Sequence, residues 1–194
     1  MKDWNLQPFA GDFLIGKHLE LYRDALHISW CIETGTQLGS TTRYLANLFK
    51  RVITIEVSEN YHREATEFLN TCGNVVLVLG ESDRELEKIL SLDEPDVSIL
   101  FFLDAHGFGH DCPLNRELAV IAKHRQNNRD VIVIHDFLVP DRPELGFDSY
   151  QDGPIDFQSV VKGMDAIWPN GWTVRYNDVA SGGMRGCAFF TGRA

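Results

Sequence analysis

Short apolar runs of strand length alternate with segments of helical period along most of the chain, and this alternation restricts the fold more than any other feature. Such an alternation is typical of parallel β-strands joined by crossover helices. We predict five strands, at residues 30–33, 52–56, 75–79, 98–104 and 131–135. The pattern therefore predicts an α/β fold with a Rossmann-like, doubly wound sheet that is mostly parallel and carries helices on both faces.

Two segments between the predicted strands have apolar residues at helical spacing. Tyr61, Ala65 and Phe68 share one face of the first segment, and Leu114 and Leu118 begin the apolar stripe of the second. Residues at this spacing form the buried side of an amphipathic helix. Each segment is therefore predicted to be a helix that packs against the sheet.

The length of 194 residues suits one domain, because a chain of this size can bury a sizeable core without dividing. We expect an N-terminal helical cap, a cofactor-binding core, a candidate lid, and a final helix with an antiparallel β-hairpin. In that order, they span residues 1–29, 30–136, 137–156 and 157–194, with hairpin strands at 172–176 and 186–191. The lid segment has no clear period, and irregular segments of such length often cover binding sites.

The charge and hydropathy of the chain argue against several classes of function. Its formal net charge is −10, and no cluster of lysine or arginine interrupts this acidity, so nucleic acid is not expected as a partner. No run approaches the roughly 18 apolar residues of a membrane span, and the first residues lack the pattern of a secretion signal. We therefore expect a cytoplasmic protein without a membrane partner, and the sequence does not indicate its oligomeric state.

Polar residues gather where the predicted strands end. In an open α/β sheet, ligands bind outside the carboxyl ends of the strands, at the point where the strand order reverses. The polar segments at the five strand ends are residues 33–39, Glu56, 80–82, 104–106 and 135–136. A ligand site is therefore predicted at this edge of the sheet.

The first of these segments is a glycine turn that leads into a helix. Gly35 permits a tight bend, and Gly39 allows close approach to the backbone. A dinucleotide fingerprint needs three glycines, and with Gly35 as the middle one the other two positions hold Glu33 and Leu38. The fingerprint fails, and the carboxylate of Glu33 suits a cationic ligand better than a pyrophosphate.

Glu56 closes the second predicted strand, 21 residues after Gly35. In folds of this kind, an acidic residue about 20 residues beyond the glycine turn accepts hydrogen bonds from a ribose diol. A lone glutamate at a strand end is more often a solvated terminus. Combined with the glycine turn, Glu56 is interpreted as the residue that holds a ribose.

These segments together resemble the successive motifs of class I S-adenosylmethionine-dependent methyltransferases. The resemblance covers about residues 30–136 and is carried by Glu-Thr-Gly-Thr at 33–36 with Gly39, Val-Ile-Thr-Ile-Glu at 52–56, Gly-Glu-Ser at 80–82, and Phe-Leu-Asp-Ala-His at 102–106. It implies that the chain binds S-adenosylmethionine and transfers its methyl group to an acceptor.

The resemblance also implies which residues contact the cofactor. They are Glu33, Gly35, Thr36, Gly39, Glu56, Glu81, Ser82 and Asp104. Glu33 and Gly35 are expected to border the methionine part and Glu56 to hold the ribose, while the two residues that follow Gly80 lie by the adenine. Asp104 is expected to face the reacting centre.

The glycine turn departs from the commonest family pattern, in which two or three alternating glycines follow the acidic residue. Thr34, Thr36 and Gln37 stand at the intervening positions. The threonines offer hydroxyl donors to the carboxylate of the turn, whereas Thr41 and Thr42 are expected to cap the helix that follows.

The predicted catalytic residues are Asp104, His106 and His135, which stand at the ends of adjacent strands. A histidine there can accept the proton of a hydroxyl during methyl transfer, so we expect a small-molecule acceptor that is methylated on oxygen. A divalent metal is a further expectation, with Asp104, His135 and Asp136 as its ligands, because some metal-dependent O-methyltransferases hold a cation at these strand ends.

Three alternatives stay open at this point. A nicotinamide-dependent oxidoreductase shares the fold, although the failed fingerprint argues against it. A binding module that kept the fold and lost catalysis is the second alternative. His106, His110, Asp111 and Cys112 also suggest a zinc site, although their spacing matches no structural zinc pattern.

Overall fold

The computed structural model describes residues 6–92, 97–106, 111–125 and 128–193. Nine strands form a seven-stranded main sheet and a separate two-stranded sheet within these ranges. The strands are β1 Trp30–Thr34, β2 Arg51–Glu56, β3 Val75–Leu79, β4 Ile99–Leu103, β5 Val131–His135, β6 Ser149–Tyr150, β7 Gly153–Pro154, β8 Trp172–Tyr176 and β9 Cys187–Gly192. The middle strand of the main sheet, β4, is apolar and buried throughout because both of its faces are covered.

The strand order across the main sheet is β3-β2-β1-β4-β5-β9-β8. Strands β1 to β5 run parallel, whereas β9 runs antiparallel to both β5 and β8. The chain winds outward from β1 to β3 and then crosses back to place β4 on the other side of β1. The order therefore reverses between β1 and β4, where Thr34 pairs with Leu103, and a crevice opens beyond their carboxyl ends.

Helices cover both faces of the main sheet. They are α1 Phe13–Leu26, α2 Ser40–Leu48, α3 Glu59–Leu69, α4 Ser82–Ser91, α5 Leu114–His124 and α6 Phe157–Ile167. Ile32 and Phe101 pack into the core beneath α4, α5 and α6, while their strand neighbours Cys31 and Phe102 pack into the core beneath α1 and α2. The predicted Rossmann-like fold is therefore confirmed. Among the described residues, no helix is long and apolar enough to cross a membrane.

The seven main-sheet strands begin and end within one residue of their predicted bounds. The C-terminal hairpin is also present, but its second strand lies inside the sheet. β9 pairs with β5 on one side and with β8 on the other, so that β8 forms the edge. The first four residues of β9, Cys187 to Phe190, are all buried, which suits a strand in the interior of the sheet.

The N-terminal cap is a 3₁₀ segment, Pro8–Gly11, followed by α1. Phe9 has a positive φ of 54° and is buried, with its ring 5.4 Å from that of Phe102. The backbone N–H of Gly183, from the loop before β9, donates to the carbonyl oxygen of Ala10 at 2.7 Å. The first and last parts of the described chain therefore meet beside the carboxyl ends of the strands.

The predicted lid, residues 137–156, is packed against the body of the protein. Phe137 and Leu145 are buried, and β6 pairs with β7 within the segment. The backbone N–H of Leu138 donates to the carbonyl oxygen of Ile155 at 2.7 Å, which closes the segment into a loop. Contacts within the segment and with the loop before β9 therefore order a segment without sequence period, and its movement as a lid stays a prediction.

Candidate active site

A cavity of about 930 Å³ opens at the carboxyl ends of β1, β2, β4 and β5. This volume lies within the range of about 300 to 1,000 Å³ that is typical of small-molecule sites. Many residues predicted for the cofactor, for catalysis or for a metal line it, namely Gly35, Thr36, Glu56, Glu81, Ser82, Asp104, His106, His135 and Asp136. Gln7 and Gly183 line it from the N-terminal segment and from the loop before β9.

Gly35 lies where the fold leaves no room for a side chain. Its φ is +86°, and a Cβ atom there would lie 2.3 Å from the carbonyl oxygen of Asp104. Its N–H donates to the carbonyl oxygen of Ile55 at 2.9 Å, so the turn lies between the ends of β2 and β4. Glycine is required because this turn touches the backbone of the neighbouring strand end.

Glu56 lines the cavity at the end of β2, as predicted for the ribose carboxylate. Its Oε2 accepts the backbone N–H of Gln37 at 2.7 Å, and its Oε1 accepts that of Ser58 at 2.8 Å. These bonds fix the carboxylate between the glycine turn and the start of α3. Because a carboxylate has about four acceptor positions, Glu56 retains capacity for the two donors of a ribose diol.

Glu33 does not line the cavity, which corrects the expectation that it borders the methionine part. The side chain is fully buried, and its Oε2 accepts the hydroxyls of Thr42 at 2.5 Å and Thr54 at 2.7 Å. Burial raises the pKa of Glu33 to about 8, against the two hydroxyl bonds that lower it. Glu33 is therefore mostly protonated at neutral pH, and it supports the turn from behind through the Thr54–Thr36 hydrogen bond of 2.6 Å.

Three other residues of this turn and helix also differ from their expected roles. Thr42 binds Glu33 and Thr41 accepts the backbone N–H of Phe9 at 3.1 Å, so neither threonine caps α2. The N-cap position is Gly39, which makes no side-chain cap and does not line the cavity. A Cβ atom at Gly39 would lie 3.0 Å from the side chain of Leu69, so this glycine allows the turn to pack against α3.

Ion pairs that were not predicted from the sequence line the cavity near Glu81 and Ser82, the two residues expected beside the adenine. Glu81, which precedes α4, pairs with Arg84 at 2.9 Å. Arg116 of α5 pairs with Asp83 at 2.8 Å and with Asp111 at 2.8 Å. The pair of Arg116 with Asp83 joins the start of α4 to the start of α5 across 33 residues, and no local pattern in the sequence indicates it.

The zinc hypothesis finds no support among the residues that the structure describes. His110 lies outside them. The carboxylate of Asp111 is held by Arg116, and burial raises the pKa of Cys112, which disfavours the thiolate that zinc binds.

Asp104, His135 and Asp136 meet at the ends of β4 and β5. The Nδ1 atom of His135 lies 3.2 Å from Oδ1 of Asp104 and 3.3 Å from Oδ1 of Asp136. Burial opposes a charged imidazole, but the two carboxylates outweigh it and hold the pKa of His135 well above its ordinary value. The Nδ1 atom of His135 therefore carries a proton that lies between two carboxylates, while its Nε2 is buried without a hydrogen-bond partner, so His135 is poorly placed to take a proton from a ligand.

His106 is the other predicted catalytic histidine, and its tautomer follows from its partner. Its Nε2 donates to the backbone carbonyl oxygen of His135 at 2.9 Å. Because a carbonyl oxygen can only accept, Nε2 carries the proton and Nδ1 is the nitrogen that can take one up. His106 is thus the histidine in this site that suits a general base.

The structure changes the membership of the predicted metal set. Donor atoms of Asp104, His106 and Asp136 lie within 4.8 Å of one another, so that His106 replaces His135. The nitrogen of His106 that faces the carboxylates is Nε2, which lies 3.7 Å from Asp104 and 4.0 Å from Asp136. Because Nε2 donates its proton to a carbonyl oxygen, it has no free lone pair for a metal. A hard cation needs free oxygen or nitrogen lone pairs, so this donor set does not fit one as it stands.

Arg185, in the loop before β9, is the charged residue at this end of the cavity that sequence reasoning missed. Its Nε donates to the carboxylate of Asp136, and its Nη2 donates to that of Asp148. Arg185 and Asp136 are 49 residues apart in the sequence. No periodicity or motif could indicate a contact over that separation, because it depends on where β9 enters the sheet.

Solved structures with the same fold include two O-methyltransferases. An O-methyltransferase from Bacillus cereus in complex with SAH superposes with a TM-score of 0.70 and 21% identity, over 97% of this chain and 85% of that one. The O-methyltransferase TomG from Streptomyces achromogenes, involved in tomaymycin synthesis and bound to SAM, gives 0.64 and 18%, over 93% and 80%. The chain has the class I methyltransferase fold.

The same fold serves other acceptors. An rRNA methylase from Streptococcus thermophilus superposes with a TM-score of 0.58 and 14% identity, over 91% of this chain and 95% of that one. No protein-family model and no curated protein matches the chain by sequence. The fold therefore leaves the acceptor open, and the acceptor has to be argued from the site.

Proposed function

We propose that this chain is an S-adenosylmethionine-dependent methyltransferase that methylates a small molecule on oxygen. The observation that carries this proposal is a single cavity with two chemically different ends. Glu56 lines it beyond β2 with acceptor capacity for a ribose, and Asp104 and His106 line it beyond β4, on the other side of β1, with a carboxylate and a base. Such a cavity can hold a nucleoside cofactor and a second reactant together.

The charge of the lining favours a cationic cofactor. Of the described residues that line the cavity, seven are acidic and three are arginines. Each arginine is paired with at least one of these carboxylates and His135 lies against Asp104, whereas Glu56 has no ion-pair partner among the described residues. A negative lining attracts the ammonium and sulfonium of S-adenosylmethionine and disfavours a pyrophosphate.

The reaction asks little of the protein beyond position and proton removal. The bound cofactor supplies a methyl group on a sulfonium, which is already activated for displacement. The cavity walls hold the acceptor oxygen in line with that methyl group. As the oxygen–carbon bond forms and the carbon–sulfur bond breaks, Nδ1 of His106 takes the proton of the acceptor hydroxyl and later releases it to solvent.

A polyanionic acceptor is disfavoured by the same charges. The net charge of −10 and the acidic lining both repel a phosphate backbone, which binds where lysine and arginine are free to contact it. The acceptor is therefore proposed to be a neutral or cationic small molecule that bears a hydroxyl group.

A divalent cation is the remaining group that the strand-end residues suggest. Asp104 and Asp136 are suitable ligands in kind, but Asp136 is bound to Arg185 and Nε2 of His106 carries a proton. We therefore assign no step of the reaction to a metal.

Calorimetric titration with S-adenosylmethionine, S-adenosylhomocysteine and NAD⁺ tests the cofactor. We expect the first two to bind one molecule per chain and NAD⁺ not to bind. Binding of NAD⁺ alone would overturn the proposal in favour of an oxidoreductase. Tight binding of S-adenosylmethionine without release of S-adenosylhomocysteine on any hydroxylated small molecule would identify a binding module.

A further inference from the structure

Arg185 is held in place by contacts from several segments. Its Nε and Nη2 bind the carboxylates of Asp136 and Asp148, and its backbone carbonyl oxygen accepts from Nδ2 of Asn177 at 2.9 Å. Its side chain packs on Gly146, where a Cβ atom would lie 2.9 Å from Nη1. The guanidinium therefore occupies a built position in the wall of the cavity.

The charges around Arg185 require a cation at this position. The guanidinium of Arg185 is always charged, and it lies against the carboxylates of Asp136 and Asp148. The side chains of Asp136 and Asp148 are only 14% and 21% exposed, so each carboxylate is largely withdrawn from water and needs a cationic partner. Both carboxylates at this end of the cavity thus have their counter-charge within the chain.

A divalent metal would need the same carboxylate. Asp136 is one of the three residues whose donor atoms come within 4.8 Å of one another, and it is the one bound to the guanidinium. Arginine is always charged, and its planar fork matches a carboxylate, so it competes well for an oxygen ligand. The cation position beside Asp136 is therefore taken.

We propose that the guanidinium of Arg185 occupies the position beside Asp136 that a divalent metal would take. Methyl transfer by this chain then needs no metal. Arg185 neutralises Asp136 and Asp148 and joins the end of β5 to the segment 137–156. Unlike a metal ion, a guanidinium does not lower the pKa of a coordinated hydroxyl, so the proton has to be taken by a protein base such as His106. This role rests on the proposed methyl transfer, but it can be tested without an acceptor.

The role of Arg185 can be tested by measuring Mn²⁺ binding to the full chain. Electron paramagnetic resonance detects the bound Mn²⁺, and S-adenosylhomocysteine is present in every sample. We expect the wild type to show no bound Mn²⁺ that depends on Asp136. Arg185→Met removes the charge and keeps much of the length, so it should gain one Mn²⁺ per chain. The double variant Arg185→Met/Asp136→Asn should lose that ion, and Arg185→Lys, which keeps the charge, should behave as the wild type.

Two results would overturn the proposal. One is a Mn²⁺ ion in the wild type that Asp136→Asn removes, and the other is a folded Arg185→Met protein that gains no ion. If Arg185→Met does not fold, the comparison of the wild type with Asp136→Asn and Arg185→Lys decides. Binding of S-adenosylhomocysteine, measured in the same samples, tests the proposed function separately. If the chain does not bind this ligand, the proposed function fails, but the expected difference in Mn²⁺ binding between the variants stays the same.

Discussion

At the scale of single residues, two glutamates from successive strands show how the surroundings of a carboxyl group decide its charge. Glu33 in β1 is enclosed with Thr42 and Thr54, and burial raises its pKa to about 8. Glu56 at the end of β2 accepts two backbone N–H groups and borders the cavity. They close successive motifs of the predicted site, but only Glu56 borders the cavity.

The protonation of Glu33 predicts a pH dependence of stability. Between its ordinary pKa of 4.5 and the raised value of about 8, the folded state holds a proton that the unfolded state has lost. Stability from this residue is therefore complete below that window and declines as pH rises through it, by up to about 1.4 kcal/mol per pH unit. Glu33→Gln keeps a neutral group of similar shape and should remove this slope.

Urea unfolding of the wild type and Glu33→Gln at several pH values across that window measures the difference. Glu59→Gln, at an exposed position in the first turn of α3, is the matched control and should keep the slope of the wild type. Parallel stability curves for the wild type and Glu33→Gln would show that Glu33 is ionised throughout.

For Glu56, we predict that Glu56→Ala weakens S-adenosylmethionine binding by about 1 to 3 kcal/mol, the free energy of charge-assisted hydrogen bonds. Calorimetry measures the affinity, and circular dichroism checks that the variant folds. The control Glu59→Ala removes the same charge three residues away and should bind as the wild type. Equal affinity in a folded Glu56→Ala protein would remove Glu56 from the site.

At the scale of elements, the turn between β1 and α2 joins three strand ends. Gly35 bonds to Ile55 of β2 and touches the backbone of Asp104 just beyond β4. The same turn presents the N–H of Gln37 to Glu56. The conformation of this one turn therefore sets the position of Glu56 relative to Asp104.

We predict that Gly35→Ala lowers the free energy of unfolding by at least about 2 kcal/mol, because a side chain at positive φ is strained and its Cβ meets backbone. Gly73→Ala is the control, since nothing lies within 4 Å of a Cβ there. Chemical denaturation compares the two, and cofactor binding should also fall in Gly35→Ala. Equal stability of the two variants would contradict the tight contact with the end of β4.

At the scale of the whole molecule, the cavity is closed by segments that are far apart in sequence. The N-terminal segment bonds to Gly183, and Arg185 binds both Asp136 and Asp148. Because β9 enters the sheet beside β5, the loop before it arrives at the reacting end. The topology of the last two strands thus brings Gly183 and Arg185 into the wall of the cavity.

The charge of the whole molecule leads to a prediction about nucleic acid. We expect no binding of a structured rRNA fragment in fluorescence anisotropy at physiological salt, since the net charge is −10 and the arginines of the cavity are paired. A basic RNA-binding domain in the same assay serves as the positive control. Salt-dependent binding of RNA by this chain would contradict the proposal of a small acceptor.

The sequence by itself determined the strands, the covered sheet and the edge of the sheet at which the cavity lies. Those features depend on local patterns, such as apolar runs, helical stripes, and the spacing of 21 residues between Gly35 and Glu56. Each pattern reflects backbone geometry within one or two neighbouring elements, so it can be recognised without the tertiary structure.

Only the tertiary structure decided which polar groups meet and what charge they carry. Glu33 is neutral because α2 and β2 enclose it, and His106 rather than His135 is free to accept a proton because of a bond to a neighbouring strand end. Arg185 reaches Asp136 across 49 residues because β9 packs beside β5. Burial and charge pairing depend on segments brought together from distant parts of the chain, and no local pattern encodes them.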